Sequence, residues 1–505
     1  MTDVKLVDVS LRDGNQSIWG ATGVTTRMVQ GVASLLDQVG YHAIELVSST
    51  LMATAVRYHQ EDPWERLRAA RDLMPNTQLG FLTTGKRFIS FHRTPDAVFE
   101  LAFRLLVRNG VKRLWVIDPM HDMEGAKRTA EMAKRVGFEE VIGGICYTTS
   151  PVHTDEYFAT KAKELDDCDA IDSVYLKDPA GLLTPDRVKS LVPLLQSSLT
   201  STRLNEIHSH STTGLSPITV LDAADLGIDT IHCALPPLAN GSSHPEAQRL
   251  VHNLRARGHN VNVDLDAMAK ASAYLQRQGR IKNLPAGSPN EYDEAYYRHT
   301  IPGGVQSTTR RQLGEIRRAD LFDQVIEESV QVREDLGWPI VMTPFAQYIV
   351  TQATLNVITG ERYKQLSDEV IDLLRGDFGP LPGAVNPELM DRAMATKRGQ
   401  QPINDGGDVT IADLRRRFGA TISDEELLLR AVMPAEQVDT MYAAKKNSAT
   451  STLQRLLAAV NDRPSTSVSI SDGTTKFSIQ RGPSDNVGAA VVGTTGGSAA
   501  QEATA

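Results

Sequence analysis

The chain has 505 residues, 41% hydrophobic and 23% charged, with a net charge of −9. That length exceeds one ordinary core and predicts two domains, one of them a large barrel. The acidic balance, without any Lys/Arg block, argues against a nucleic-acid or anionic-membrane partner.

The start of the chain carries charges from Asp3 onward and predicts no secretory signal. No apolar run approaches the about 20 residues of a membrane span. Three widely spaced cysteines, Cys146, Cys168 and Cys233, fit buried thiols in a reducing, cytoplasmic compartment.

Short β-branched segments then recur, at 5–11 (KLVDVSL), 43–47 (AIELV), 78–83 (QLGFLT), 113–118 (RLWVID), 141–147 (VIGGICY), 173–178 (SVYLKD), 205–210 (NEIHSH) and 230–235 (TIHCAL). Between them lie amphipathic runs that close on glycine, such as RMVQGVASLLDQVG and PDAVFELAFRLLVRNG, and these predict helices. Eight strands alternating with helices over about 250 residues predict an α/β fold, a (β/α)8 TIM barrel, assigned to 1–290. A doubly wound open sheet is the alternative, and the first strand lacks the Gly-rich fingerprint that would favour it.

The Pro/Gly-punctuated stretch NLPAGSPNEYDEAYYRHTIPGGVQS crosses out of the barrel. Patterns such as RADLFDQVIEESVQVREDLG then predict a mostly helical second domain over 291–465. SVSISDGTTKFSIQ alternates around Asp472-Gly473 and predicts a single β-hairpin within 466–481. The Gly/Ala/Thr/Ser-rich remainder, 482–505, reads as a disordered tail.

In such a barrel the reactive groups collect at the C-terminal ends of the strands. Those positions hold Arg12, Asp13 and Gln16 after strand 1, Asp118 after strand 4, and Lys177 and Asp178 at the end of strand 6. Strand 7 carries His208 and His210, and the NGSSHP loop after strand 8 carries Ser242, Ser243 and His244. Histidines two apart on a strand share a face. With a carboxylate they make a divalent-metal set of borderline-soft type, Zn, Co or Mn.

Lys177 ends an apolar strand, where a charge is costly to desolvate. Either an ion pair with Asp178 or Asp13 holds it, or its neutral amine takes up CO2 and becomes a carbamate, an anionic oxygen ligand. Ordinary structural uses stand beside the other candidates. Asp13 could cap a following helix, His244 before Pro245 could be a plain loop residue, and Cys146, Cys233, Tyr147 and Trp115 could fill the core.

The stretches SLRDGNQS, GICYTTSPVHT, YLKDPAGLLTP, IHSHSTTG, EDPWERLRAARDLMPN, IPGGVQS and LLRGDFGPLPGAVNPEL resemble the carboxyltransferase domain of biotin-dependent enzymes. That family includes pyruvate carboxylase, the oxaloacetate decarboxylase α subunit and the large-barrel subunit of transcarboxylase. The resemblance runs from about residue 5 to beyond residue 400. It implies a carboxylase-type second domain and a metal bound by Asp13, His208, His210 and a carbamylated Lys177. Arg12 and Gln16 would bind the substrate carbonyl and carboxylate. Ser242 would take the place of a threonine hydroxyl that moves a proton between substrate and biotin. Carboxyl groups would then pass between carboxybiotin and a small 2-oxo acid or related enolisable acid. A homodimer is a further expectation from the family.

The substrate side departs from the family pattern. Arg12-Asp13-Gly14-Asn15-Gln16 stands for Arg-Asp-Ala-His-Gln, Val47-Ser48-Ser49-Thr50-Leu51 for Trp-Gly-Gly-Ala-Thr, and Thr83-Thr84-Gly85 for Leu-Arg-Gly. The missing arginine removes a bidentate contact to a carboxylate, with Lys86 or Arg87 as the nearest replacements, so altered specificity is expected at Thr84 and Ser48. No Ala-Met-Lys-Met biotinylation motif occurs, so the biotin carboxyl carrier protein and the biotin carboxylase are expected on other chains. Two rival readings stand. One is a metal-dependent lyase or synthase of the isopropylmalate synthase and HMG-CoA lyase group, whose first strand also reads Arg-Asp-Gly-x-Gln. The other is an inactive scaffold subunit of a carboxylase complex.

Overall fold

The computed structural model describes residues 2–85, 87–89, 93–403 and 409–447, together with three strands between 467 and 490. Eight parallel strands close into a barrel in chain order: β1 (Lys5–Asp8), β2 (Ala43–Ser48), β3 (Gln78–Thr84), β4 (Val111–Ile117), β5 (Glu140–Cys146), β6 (Ser173–Asp178), β7 (Leu204–Ser209) and β8 (Thr230–Cys233). Strands covered by helices outside and side chains inside are buried on both faces, hence their near-continuous apolar sequences. Helices such as Thr26–Val39, Asp155–Asp166 and Pro185–Ser198 return the chain between them, started by the Thr25, Thr154 and Thr184 side chains, which accept from the backbone three residues on.

Two strands end two or more residues earlier than their sequences suggest. β1 stops at Asp8 because its carboxylate captures Ser10, accepting from the backbone N–H at 3.1 Å and from the hydroxyl at 2.7 Å. Ser10 Oγ in turn accepts from the N–H of Leu235 at 2.7 Å, which draws the chain after β8 out of the ladder. Residues Ser10–Gly14 therefore form a single wide helical turn that carries Arg12 and Asp13.

The barrel interior is filled by Trp115, Ile117, Tyr175, Cys146 and Leu82, with Ile340 and Met342 of the helical region entering the same cluster. Gly80 makes room for Trp115, since a Cβ there would stand 2.1 Å from the indole ring. A second core joins residues between Ile301 and Ala393 around Phe345, Ile349 and Leu336. The fully buried Arg333 ties this core to the barrel. Its guanidinium donates to Thr148 Oγ1 (2.9 Å), the Thr149 carbonyl (3.0 Å) and Thr300 Oγ1 (3.0 Å).

The remaining helices do not belong to that second core. Leu414 on Ile411–Phe418 and Leu427–Leu429 on Asp424–Val432 pack, with Met441, into the barrel's own hydrophobic cluster. Glu425 accepts from Arg68 at 2.7 Å, and Lys445 pairs with Asp62 at 2.8 Å. The region expected as one helical domain thus divides its packing between two cores.

The strands of the expected hairpin do pair, with a further strand beside them. β9 (Ser467–Ser471) and β10 (Lys476–Arg481) pair antiparallel, but β11 (Val487–Ala490), inside the expected tail, adds a third strand on β10. Pairing covers an edge that a two-stranded ribbon would leave open. Among the described residues no helix is long and apolar enough to cross a membrane, and the three cysteines are free and buried.

Candidate metal centre

Register brings the candidate ligands to one mouth of the barrel. β6 and β7 pair with Lys177 opposite His208. Gly181, in the loop after β6, lets that loop close on β7: its φ is +70°, and a Cβ would stand 2.4 Å from the His210 carbonyl. Asp13 divides its carboxylate. Oδ1 accepts from the Ser17 hydroxyl at 3.0 Å, and no side-chain cap forms on the turn that follows, while Oδ2 turns inward to 3.1 Å from His208 Nε2 and 3.5 Å from His210 Nε2. Asp13, His208, His210 and also His244 present ligand atoms all within 4.8 Å of one another, and all four residues are buried.

The ring orientations are set from behind. His210 Nδ1 donates to the Ser242 carbonyl at 2.7 Å, which turns Nε2 toward the cluster. His208 Nδ1 meets His232 Nδ1 at 2.7 Å, and His232 Nε2 meets Glu206 Oε1 at 2.5 Å. Glu206 also accepts from Trp115 Nε1 and from Arg113, whose other branch reaches Glu140. A carboxylate behind a ligand histidine fixes its tautomer and raises its basicity. Here a second imidazole is interposed. Burial is the main cause that drives the His208 and His244 rings well below the ordinary histidine range, so both are neutral at physiological pH. Burial also lowers Lys177, against the opposing pull of Asp13. Its Nζ stands 2.7 Å from His208 Nε2 and 3.8 Å from Asp13 Oδ2. Asp178 is not its partner, because that carboxylate accepts from Leu182 N (2.8 Å), Leu183 N (3.0 Å) and Ser209 Oγ (2.9 Å).

On the acceptor side, Arg12 is pinned between Glu45 and Asp13, the latter at 2.9 Å, and its buried Nε makes no hydrogen bond. Ser48 ends β2 with a buried hydroxyl that is also unpartnered. Thr84 ends β3 on the face it shares with Gly80 and Leu82, and Gln16 lies half-buried just beyond Asp13. Asp118 caps its own loop, accepting from Met120 N at 2.8 Å, apart from the four-residue cluster. Arg87 is committed elsewhere, with its guanidinium 4.1 Å from the centre of the Phe378 ring and 5.4 Å from that of Phe345. Lys86 lies outside the described residues.

A family profile described as "Conserved carboxylase domain" matches residues 296–481. A pyruvate carboxylase subunit of Methanocaldococcus jannaschii is 35% identical over 401 residues, spanning 79% of this chain and 70% of that protein. The methylmalonyl-CoA carboxyltransferase 5S subunit of Propionibacterium freudenreichii subsp. shermanii is 31% identical over 401 residues, 79% of this chain and 78% of its own. The chain belongs to the carboxyltransferase family of biotin-dependent carboxylases. The carboxyl transferase domain of Rhizobium etli pyruvate carboxylase shares the fold, with a TM-score of 0.80 over 88% of this chain and 78% of that one at 23% identity. These relatives favour the carboxyl-transfer reading over the aldol and Claisen enzymes that share the barrel.

Within this carboxyltransferase, the residues expected as ligands do meet. Ser242 lies beside them, but its hydroxyl donates to the Ser17 carbonyl at 3.0 Å, and it is the Ser242 backbone that touches His210. His244, for which a plain loop role was open, is in the cluster. Glu45, Glu206 and His232 are not among the residues to which the sequence points. Their signal is an acid or histidine inside otherwise apolar strands, as in AIELV, NEIHSH and TIHCAL.

Proposed function

We propose that this carboxyltransferase works at a divalent metal held by Asp13, His208 and His210. There it moves a carboxyl group between carboxybiotin, borne on a separate carrier protein, and a small 2-oxo acid or related enolisable acid. The supporting observation is the convergence of Asp13 Oδ2 with the Nε2 atoms of His208 and His210 at 3.1–3.5 Å in a buried mouth. Imidazoles and one carboxylate are the donors of a borderline-soft ion such as Zn, Co or Mn. When bound, such an ion supplies a Lewis acid for the negative charge that develops on an enolising acceptor.

The chain's own residues do the rest. Lys177, whose amine burial makes easier to deprotonate, is the group that would take up CO2; its N–C bond would form as a proton leaves, and the carbamate oxygen would be a further donor for the ion. Arg12, immobilised by Glu45 and Asp13, offers its unpartnered Nε–H to a substrate oxygen. Gln16, Ser48 and Thr84 line the acceptor side. Ser242 acts as a positioning residue through the carbonyl that orients His210. Ile340 and Met342 cover the barrel interior and keep water from it. The carrier and the biotin carboxylase are separate chains, a reading supported by the archaeal relative, which is itself one subunit of a pyruvate carboxylase.

The test combines the purified chain with a biotinylated carrier and a panel of 2-oxo acids, including pyruvate and 2-oxoglutarate. Acid-dependent carboxyl exchange is expected, abolished by chelation and restored by Zn, Co or Mn. A metal-loaded chain that exchanges carboxyl groups with no acid of the panel would defeat this reading in favour of the inactive scaffold.

A further inference from the structure

His244 sits at the end of a loop fastened to the mouth of β7. The Asn240 N–H donates to the His244 carbonyl at 2.7 Å, the Ser211 N–H donates to the Ser243 carbonyl at 2.6 Å, and the Ser242 carbonyl holds His210. The loop therefore delivers the His244 ring into the cluster as a fixed part of the mouth. The ring is completely buried, with its centre 4.1 Å from that of His208 and 4.4 Å from that of His210. Its Nδ1 makes no hydrogen bond, and its Nε2 points to His208 Nε2 at 2.9 Å.

Hydrogen bonding cannot account for that arrangement. His208 Nε2 is faced at once by Lys177 Nζ at 2.7 Å, His244 Nε2 at 2.9 Å, Asp13 Oδ2 at 3.1 Å and His210 Nε2 at 3.3 Å. A neutral imidazole nitrogen has either one proton or one lone pair, so it cannot both accept from Lys177 or His244 and donate to Asp13. A shared cation reconciles them. Four donors about 2.1 Å from a zinc in a tetrahedron stand about 3.4 Å apart, and octahedral neighbours stand about 3.0 Å apart. The separations of His208 from His244, His210 and Asp13, and of His210 from Asp13, span 2.9–3.5 Å.

We infer that His244 is a ligand of the metal, so that one carboxylate and three imidazoles hold the ion before Lys177 is modified. This deepens the proposed function and rests on its metal. Two consequences distinguish it. Retention of the ion does not depend on the carbamate, and three imidazoles favour Zn or Co over Mn.

The experiment uses the full chain, stripped and reloaded with Zn or Co, and compares wild type with His244→Ala, His244→Gln, Lys177→Ala and Asp13→Ala. Affinity is read by competition with a chromophoric chelator, and coordination by the visible spectrum of the Co form. His244→Ala should lose more than about a hundredfold in affinity, beyond the ~10–100-fold that loss of a supporting partner costs, and should change the Co spectrum. His244→Gln, which keeps a side chain in the space and offers an oxygen, should lose less and carries the comparison if the alanine variant does not fold. Lys177→Ala should retain its metal. Unchanged affinity and spectrum in both His244 variants, with metal lost in Asp13→Ala, would overturn the inference and leave the metal reading standing. A wild-type chain that binds neither ion would overturn both.

Discussion

Asp8→Asn tests how the first strand hands the chain over to the candidate metal site. Asp8 ends β1, is fully buried, and holds Ser10, the first residue of the turn that presents Arg12 and Asp13. Burial is the largest influence on its carboxyl and carries it from an ordinary 3.8 to about 7, while the two bonds from Ser10 pull the other way. An acid whose pKa is raised by folding contributes its full stability below the unfolded value and loses it as the pH rises through the folded one. The wild-type chain therefore loses stability between about pH 4 and about pH 7 on account of Asp8. At about 1.36 kcal/mol per unit, the loss reaches about 4 kcal/mol above that window. Asparagine keeps the shape and an acceptor for the Ser10 N–H but cannot ionise. Urea unfolding at a series of pH values should show Asp8→Asn more stable than wild type by up to about 4 kcal/mol near pH 8, with the gap closing toward about pH 4. Its metal content should not change, because the turn is still held. A variant no more stable than wild type near pH 8 would refute the argument, showing that the Ser10 bonds outweigh burial at this carboxyl.

Lys177→Ala should abolish carboxyl transfer while leaving the urea midpoint nearly unchanged, because it removes a buried amine that burial already disfavours as a cation; surviving transfer would exclude the carbamate. Glu206→Gln leaves Arg113 without its inner carboxylate and His232 facing an uncharged amide. It should cost about 3–5 kcal/mol in unfolding experiments and about 10–100-fold in metal affinity by chelator competition; an unaltered affinity would separate His232 from the centre. Thr84→Arg places a guanidinium at the mouth of β3 and should lower the KM for pyruvate about tenfold or more, the worth of one charge-assisted hydrogen bond. An unchanged KM would show that the carboxylate is held from another strand.

The barrel is legible in the sequence because its strands are buried on both faces and read as short apolar runs between glycine-ended helices. Asp13, Lys177, His208 and His210 are legible because strand ends converge in any such barrel. What the sequence hides are contacts between strands far apart in the chain. Arg113 and Glu206 are separated by 93 positions and His208 and His244 by 36. Neither pairing follows from local pattern. Ser242 does lie beside the site, but its side-chain direction depends on the Ser17 carbonyl, 225 positions away. β11 has no local signal because Val487–Ala490 is Gly/Ala-rich and is a strand only through its pairing with β10. The helices at Ile411–Phe418 and Asp424–Val432 lie where helical patterns predict them, yet periodicity cannot say which core a helical face will meet.

The geometry of Arg12 explains why the two halves of the site can diverge independently. Its Nη2 is shared by Glu45 and Asp13, all three being buried. Swinging the guanidinium toward a substrate carboxylate would strip Glu45 of its cation in a dry site, a cost of about 3–5 kcal/mol. Arg12 is therefore held beside Asp13 and Glu45, with its buried Nε unpartnered. At the ends of β2 and β3, Ser48 keeps an unpaired buried hydroxyl and Thr84 adds no charge. Substitutions at those two positions are expected to change which acid is accepted without disturbing Asp13 or the histidines, since neither residue belongs to that four-residue cluster.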